Sequence, residues 1–165
     1  VVGRAAADDG DTDLRIAFDF DGVLADDSAE RVFQSGGLQE YQENESALAE
    51  VPLDRGPMAD FLEKINRIQR IEESKSAGDP RGYRRRVHVA VVTARSAPAH
   101  ERAINSIRQW GLRVNDAFFL GGLPKGPMLE VLQPHIFFDD QRRHVEGASL
   151  STPSVHIPFG EINRE

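Results

Sequence analysis

Leu14-Arg-Ile-Ala-Phe-Asp-Phe-Asp-Gly-Val-Leu24 is the stretch that decides how this chain folds. A short apolar run of strand type ends in two aspartates, Asp19 and Asp21, and then in Gly22, which releases the chain into a turn. Residues two apart in a strand point to the same side, so the two carboxylates emerge together at the strand's carboxyl end. Ionised carboxylates that close repel each other, and at the rim of a core they are costly unless a cation or a proton offsets them. Mg²⁺ is the usual cation for a site built of oxygen alone. The plainer alternative, that the two acids merely open a polar loop, leaves the partners found further along the chain without a purpose.

Working outward, short apolar runs alternate with helical patterns, the signature of a parallel sheet covered by helices. The expected strands are Leu14–Phe20, Val87–Thr93, Ala117–Leu120, His135–Phe138 and Ser154–Ile157, with helices near Pro57–Glu72, Ala99–Gly111, Lys125–Leu132 and Gln141–Ala148. In the helix before Gly111, residues Ala103, Ile104, Ile107 and Trp110 recur at helical spacing and form an apolar stripe for covering the sheet. Residues 1–13 are expected to be a flexible lead-in, and 14–165 a single α/β domain. Between the first two strands lies an insertion of about 60 residues, Ala25–Arg86, far longer than an ordinary connection. Its first part, Asp27–Glu50, is polar and helix-compatible. A segment that leaves the sheet just after the paired aspartates is expected to sit over them as a small helical cap. Ser74–Arg86 reads as an exposed loop, and its run Arg84-Arg85-Arg86 as a solvated turn.

Bulk composition excludes several classes. At 165 residues the chain is long enough for one domain with a real core. No apolar stretch approaches the roughly 18 residues of a membrane span, and no signal-peptide pattern opens the chain. Cysteine is absent, which rules out disulfides and thiolate metal sites and fits a cytoplasmic location. A net charge of −7 argues against a nucleic-acid partner, which wants a basic face. It leaves room for a small phosphorylated substrate, because a local cation and backbone amides hold phosphate on an acidic protein. The first residue is Val1 rather than methionine, so the chain is expected to be a processed, trimmed or partial product with sequence upstream. Nothing in the sequence speaks to its oligomeric state.

Parallel sheets bind ligands beyond the carboxyl ends of their strands, so the informative residues are those that end each run. The first run ends in Asp19 and Asp21. The second ends in Thr93, followed by Ala94, Arg95 and Ser96. After the third comes Gly121-Gly122-Leu123-Pro124-Lys125, and the fourth ends in Asp139-Asp140. Right-handed crossovers bring these ends to one edge of the sheet. Four carboxylates, a hydroxyl and an ammonium then converge, an inventory suited to phosphoryl transfer through a covalent aspartyl intermediate. One carboxylate acts as nucleophile, while a neighbour protonates the leaving alcohol and later activates water.

In this order and spacing, the four segments resemble the four motifs of the haloacid dehalogenase-like phosphatase superfamily. The resemblance implies Asp19 as nucleophile and Asp21 as general acid and base, its backbone carbonyl also touching Mg²⁺. It implies Thr93 as the phosphate-binding hydroxyl and Lys125 as the cation that orients nucleophile and phosphate. Asp139 is implied as the metal carboxylate, with Asp140 a second ligand, directly or through water. More narrowly, Val92–Arg102, Ala117–Gly126 and Ile136–Gln141 resemble the cytosolic 5′-nucleotidase family related to the type 1 enzyme and its bacterial members, over about Leu14 to Gly160. That family removes phosphate from nucleoside 5′-monophosphates such as AMP or IMP, using Mg²⁺. Its members usually carry alanine where Gly22 stands, and an additional amino-terminal half ahead of this region.

Other positions admit two readings each. Arg95 either contacts a substrate phosphate or ribose, together with Ala94, or pairs with a nearby acid such as Glu101. Ser96 and Pro98 are expected to begin the following helix. His100, His135, His144 and His156 are too scattered to form a metal set and read as structural. Phe33 and Tyr41 either pack the cap or stack on a base. The expectation is thus a Mg²⁺-dependent phosphomonoesterase acting on nucleoside 5′-monophosphates. Its rivals are a phosphatase for another small metabolite, and a non-catalytic nucleotide- or metal-binding domain of a larger protein.

Overall fold

The computed structural model describes residues 10–79 and 82–164. The lead-in expected at 1–13 therefore lies mostly outside the described residues, as does Pro80 of the expected exposed loop. The strands are β1 (Leu14–Phe18), β2 (Val87–Thr93), β3 (Asp116–Phe119), β4 (Ile136–Asp139) and β5 (Ser154–His156). The helices are α1 (Ser28–Ala47), α2 (Ala59–Gly78), α3 (His100–Gln109), α4 (Gly126–Leu132) and α5 (Arg142–Ala148). All strand pairs are parallel, in the order β3-β2-β1-β4-β5. The sheet is the Rossmann-like α/β arrangement that the alternating runs predict.

Period-two alternation explains why helices cover both faces. On one face Ile16 and Phe18 of β1, Val89 and Val91 of β2 and Phe138 of β4 join Leu62 and Ile65 of α2 and Ala103 and Ile107 of α3. On the other, Ala17, Val92 and Phe137 meet Leu129 of α4 and Ala148 of α5. Phe18 aligns with Val91 on one side and Phe138 on the other, and stacks on the Phe138 ring at 5.1 Å. Trp110 packs against this core, stacked 6.0 Å from Phe20, and its indole N–H donates to the Leu53 carbonyl at 3.1 Å.

Most boundaries shift by a residue or two from expectation, and two of the differences have a visible local cause. β1 stops at Phe18, not Phe20, and the chain turns just after Asp19, which is still extended and donates its N–H to the Phe138 carbonyl at 2.8 Å. Its carboxylate accepts the Phe20 N–H at 2.7 Å and opens a wide helical turn, Phe20–Leu24. The second helix runs to Gly78, so Ser74–Gly78 is helical rather than loop. Glu72 near its end accepts the backbone N–H groups of Arg86 and Val87, tying the helix to the start of β2.

The long excursion after β1 divides in two. Ala25 and Arg55 form an antiparallel bridge, the Asp26 N–H donates to the Asp54 carbonyl at 2.9 Å, and the Gly56 N–H donates to the Leu24 carbonyl at 2.7 Å. Gly56 is required at this neck, because a Cβ there would lie 2.3 Å from the Ala25 carbonyl oxygen. Beyond the neck only α1 stands over the strand ends, interrupted at Gly37 by a positive φ. α2, though part of the same 25–86 stretch, lies on the sheet.

With β1 central, the chain builds outward through β2 and β3, then crosses back to β4 and β5. The order reverses between β1 and β4, and such a switch leaves a crevice at the strands' carboxyl ends.

Candidate active site

Asp19 and Asp139 leave the two strands that flank this crevice. Between them stands Lys125, just ahead of α4, whose ammonium is 2.7 Å from Asp19 Oδ2 and 2.7 Å from Asp139 Oδ2. All three side chains are buried. Asp139 is further held by the Gln141 N–H, which donates to its Oδ1 at 2.8 Å. His144, one turn into α5, brings Nδ1 to 3.3 Å from Asp139 Oδ2, without the angle of a hydrogen bond. Asp19, Asp139 and His144 each offer an atom within 4.8 Å of the others. His144 thus belongs beside the acidic cluster, a correction to its reading as a scattered structural histidine. The signal was its place five residues after Asp139, which a helix start converts into proximity.

Asp140 completes the cluster. Its side chain is buried, and Oδ1 accepts no hydrogen bond among the described residues. Gly22 makes room for it: with φ at +70°, Gly22 approaches so closely that a Cβ would lie 2.4 Å from Asp140 Oδ2. His156 and the Asn163 amide meet the Asp140 backbone carbonyl, each at 2.9 Å.

Three buried carboxylates share one ammonium, and their protonation shows it. Burial lifts the Asp19 carboxyl to about 6, against the pull of Lys125 and with a push from Asp139. Burial also lifts Asp140 to about 8, helped by the charges of Asp19 and Asp139. For Asp139, burial works upward, but Lys125 and His144 together outweigh it and hold the carboxyl below its ordinary range. Burial works downward on Lys125, and the two aspartates overcome it and hold the ammonium charged. The excess negative charge and the unpartnered Asp140 oxygen suit a divalent cation.

Asp21 is treated differently. Arg95 grips its carboxylate with two parallel bonds, Nε to Oδ2 at 2.8 Å and a terminal nitrogen to Oδ1 at 2.7 Å. The other terminal nitrogen of Arg95 donates to Glu45 of α1 and, at 2.9 Å, to the Ala99 carbonyl. Glu45 is wholly buried, and its second oxygen accepts from Arg102 of α3 at 2.7 Å. Of the two readings for Arg95, an ion pair is present, but its partners are Asp21 and Glu45 rather than Glu101. Glu45 and Arg102 were not found from sequence. Glu45 sits with Glu40 and Glu43 in a polar helix, and nothing local distinguishes it.

Thr93 ends β2, and its Oγ1 accepts the Arg95 N–H at 3.2 Å. The turn that follows is zipped to the one after β3, because the Gly121 and Gly122 N–H groups donate to the Arg95 and Ala94 carbonyls at 3.1 and 3.0 Å. Asp19, Asp21, Thr93, Ala94 and Arg95 line one cavity of about 350 Å³, together with Phe33, Leu38 and Tyr41 of α1. Phe33 and Tyr41 meet edge to face at 6.0 Å, so the cap packs on itself. Tyr41 is also packed against the core, while Phe33 stays half exposed at the cavity. Lys125 lies behind the carboxylates.

Fold and site together define a Rossmann-like α/β domain with acids from β1 and β4 bridged by a lysine, an architecture consistent with the haloacid dehalogenase-like fold. A family model described as 5′-nucleotidase matches residues 1–164, and the chain belongs to that family. It is 39% identical over 139 residues to human "Cytosolic 5'-nucleotidase 1B", an alignment covering 84% of this chain and 22% of that protein. The chain thus spans about a fifth of the length of this relative.

Proposed function

We propose that this chain is a Mg²⁺-dependent phosphomonoesterase for nucleoside 5′-monophosphates of the AMP or IMP kind, working in the cytoplasm. The observation that carries the reading is the buried Asp19–Lys125–Asp139 bridge, with Asp140 beside it, opening on a cavity in a chain of the 5′-nucleotidase family. The relative's printed name and the absence of cysteine support the location and the substrate class. Asp19, Asp139 and Asp140, with the backbone carbonyl of Asp21, are the groups to hold Mg²⁺. When bound, the ion neutralises charge that the three carboxylates and a substrate phosphate cannot share unaided.

In the first step Asp19 Oδ attacks phosphorus, the P–O5′ bond breaks, and Asp21 gives its proton to the departing oxygen. In the second, Asp21 takes a proton from water, whose oxygen attacks phosphorus and returns Asp19 as a carboxylate. Thr93 and the backbone at Ala94 and Arg95 hold the phosphate oxygens, and Lys125 keeps Asp19 aimed and balances charge. The Arg95 guanidinium is occupied by Asp21, so its role toward substrate lies in the backbone and in the placement of Asp21.

Phosphate release from AMP, IMP and a generic phosphate ester, with Mg²⁺ and with a chelator, tests the assignment. Turnover of a nucleoside monophosphate that stops on chelation is expected. A folded, Mg²⁺-supplied protein inert to every ester overturns it.

A further inference from the structure

Four charged side chains run in alternating sign from the cavity into the protein: Asp21, Arg95, Glu45 and Arg102. Asp21 is contributed by the turn after β1, Arg95 by the turn after β2, Glu45 by the cap helix α1, and Arg102 by α3. Arg95, Glu45 and Arg102 are all buried, Glu45 completely. Fifty residues separate Glu45 from Arg95 in sequence, and 57 separate it from Arg102. Only the placement of α1 brings them together.

The segment that follows α1 is itself fastened to α3. Arg102 Nε donates to the Val51 carbonyl at 2.9 Å, Asn105 donates to Ala49 at 3.1 Å, and Ser106 accepts the Leu53 N–H at 3.0 Å. Glu45 is therefore a fixed anchor. Arg95 in turn is held 5.1 Å above the Phe20 ring and 5.8 Å from that of Tyr41, with its one remaining nitrogen on both Glu45 and the Ala99 carbonyl. A guanidinium so constrained presents its fork in one orientation, and that fork sets the Asp21 carboxylate.

We propose that Glu45 is a positioning residue: from the cap it holds Arg95, and through Arg95 it keeps Asp21 where it can protonate the leaving oxygen. The inference rests on the phosphatase reading and deepens it. It makes the cap more than a lid over the cavity, because the acid and base of the reaction is in register only while α1 is docked.

A merely structural glutamate and a positioning one differ in which substrates suffer. A nucleoside leaves as an alkoxide that needs Asp21's proton, whereas p-nitrophenolate leaves without help. The test compares kcat/KM, which reports steps through departure of the first product, for AMP and for p-nitrophenyl phosphate, in the Mg²⁺-supplied parent and in Glu45→Gln. The expected result is a loss of about tenfold or more on AMP with less than about threefold on p-nitrophenyl phosphate, since a small misplacement of a general acid is costly only where its proton is needed. Parallel losses on both esters, or no loss on either, overturn the proposal. So does a rise in KM for AMP at unchanged kcat, which puts Arg95 on substrate instead. If Glu45→Gln shows no cooperative melt, Arg102→Gln, which loosens Glu45 from outside, decides by the same ratio with a smaller expected effect. An inert parent overturns the phosphatase reading itself, and this inference with it, whereas an active parent with parallel losses overturns this inference alone.

Discussion

Two charge clusters lie within one crevice and are built on opposite principles. Around Asp19, three buried carboxylates share a single ammonium, and one oxygen of Asp140 has no hydrogen-bond partner among the described residues. Around Asp21, anions and cations alternate and nearly every nitrogen is bonded. Without a cation, the first cluster keeps its acids together by raising the proton affinity of Asp19 and Asp140. The second is complete, and its order depends on where a distant helix sits. Burying charge is tolerable when geometry and hydrogen bonds are satisfied, so the unsatisfied cluster marks where the protein expects a ligand.

The largest expected effect breaks the first cluster at the nucleophile proposed for it, Asp19. Asp19→Asn lowers phosphate release by at least about a thousandfold, as loss of a nucleophile does elsewhere, while the protein still melts cooperatively. Next, Lys125→Met strands the carboxylates and lowers stability by about 3–5 kcal/mol without Mg²⁺, measured by denaturant unfolding. Added Mg²⁺ recovers much of that stability but not the activity.

A subtler effect concerns the proton on Asp140. Its folded-state value, about 8, lies above the usual 3.8. Between those values the native protein holds a proton that the unfolded chain releases, so metal-free stability falls as pH rises through the window. Asp140→Asn removes that dependence. Metal-free, it melts higher than the parent at about pH 9, and the gap narrows as pH falls, closing only below the unfolded value of 3.8. Gly22→Ala drives a methyl onto Asp140 and costs about 1–3 kcal/mol, with weaker Mg²⁺ stabilisation in a thermal melt. The smallest effect belongs to an exposed pair outside both clusters: Arg84→Ala, which loses a 2.7 Å contact with Asp13, changes stability by about 0.5 kcal/mol or less.

The parallel sheet was legible because apolar runs of strand length carry their own signal, and Asp19, Thr93, Lys125 and Asp139 were legible because each stands at the end of such a run or just after one. What escaped was set by packing between distant segments. Glu45 is one glutamate among several in a polar helix until α1 docks on α3. His144 looked isolated because its approach to Asp139 depends on α5 starting where it does. Phe20 is as apolar as Phe18, but it opens a turn, its N–H capped by the Asp19 side chain and its carbonyl accepting from Ala25. The end of α2 was misjudged for a related reason: its serines and Gly78 suggest a loop, but Glu72 ties the helix to β2 from within.

The neck at Ala25 and Arg55 has an evolutionary corollary. Because the excursion's two ends are already stitched side by side, the segment between them is exchangeable cargo, open to lengthening, shortening or replacement without re-threading the sheet. Any replacement inherits one debt: it must supply an acid for Arg95.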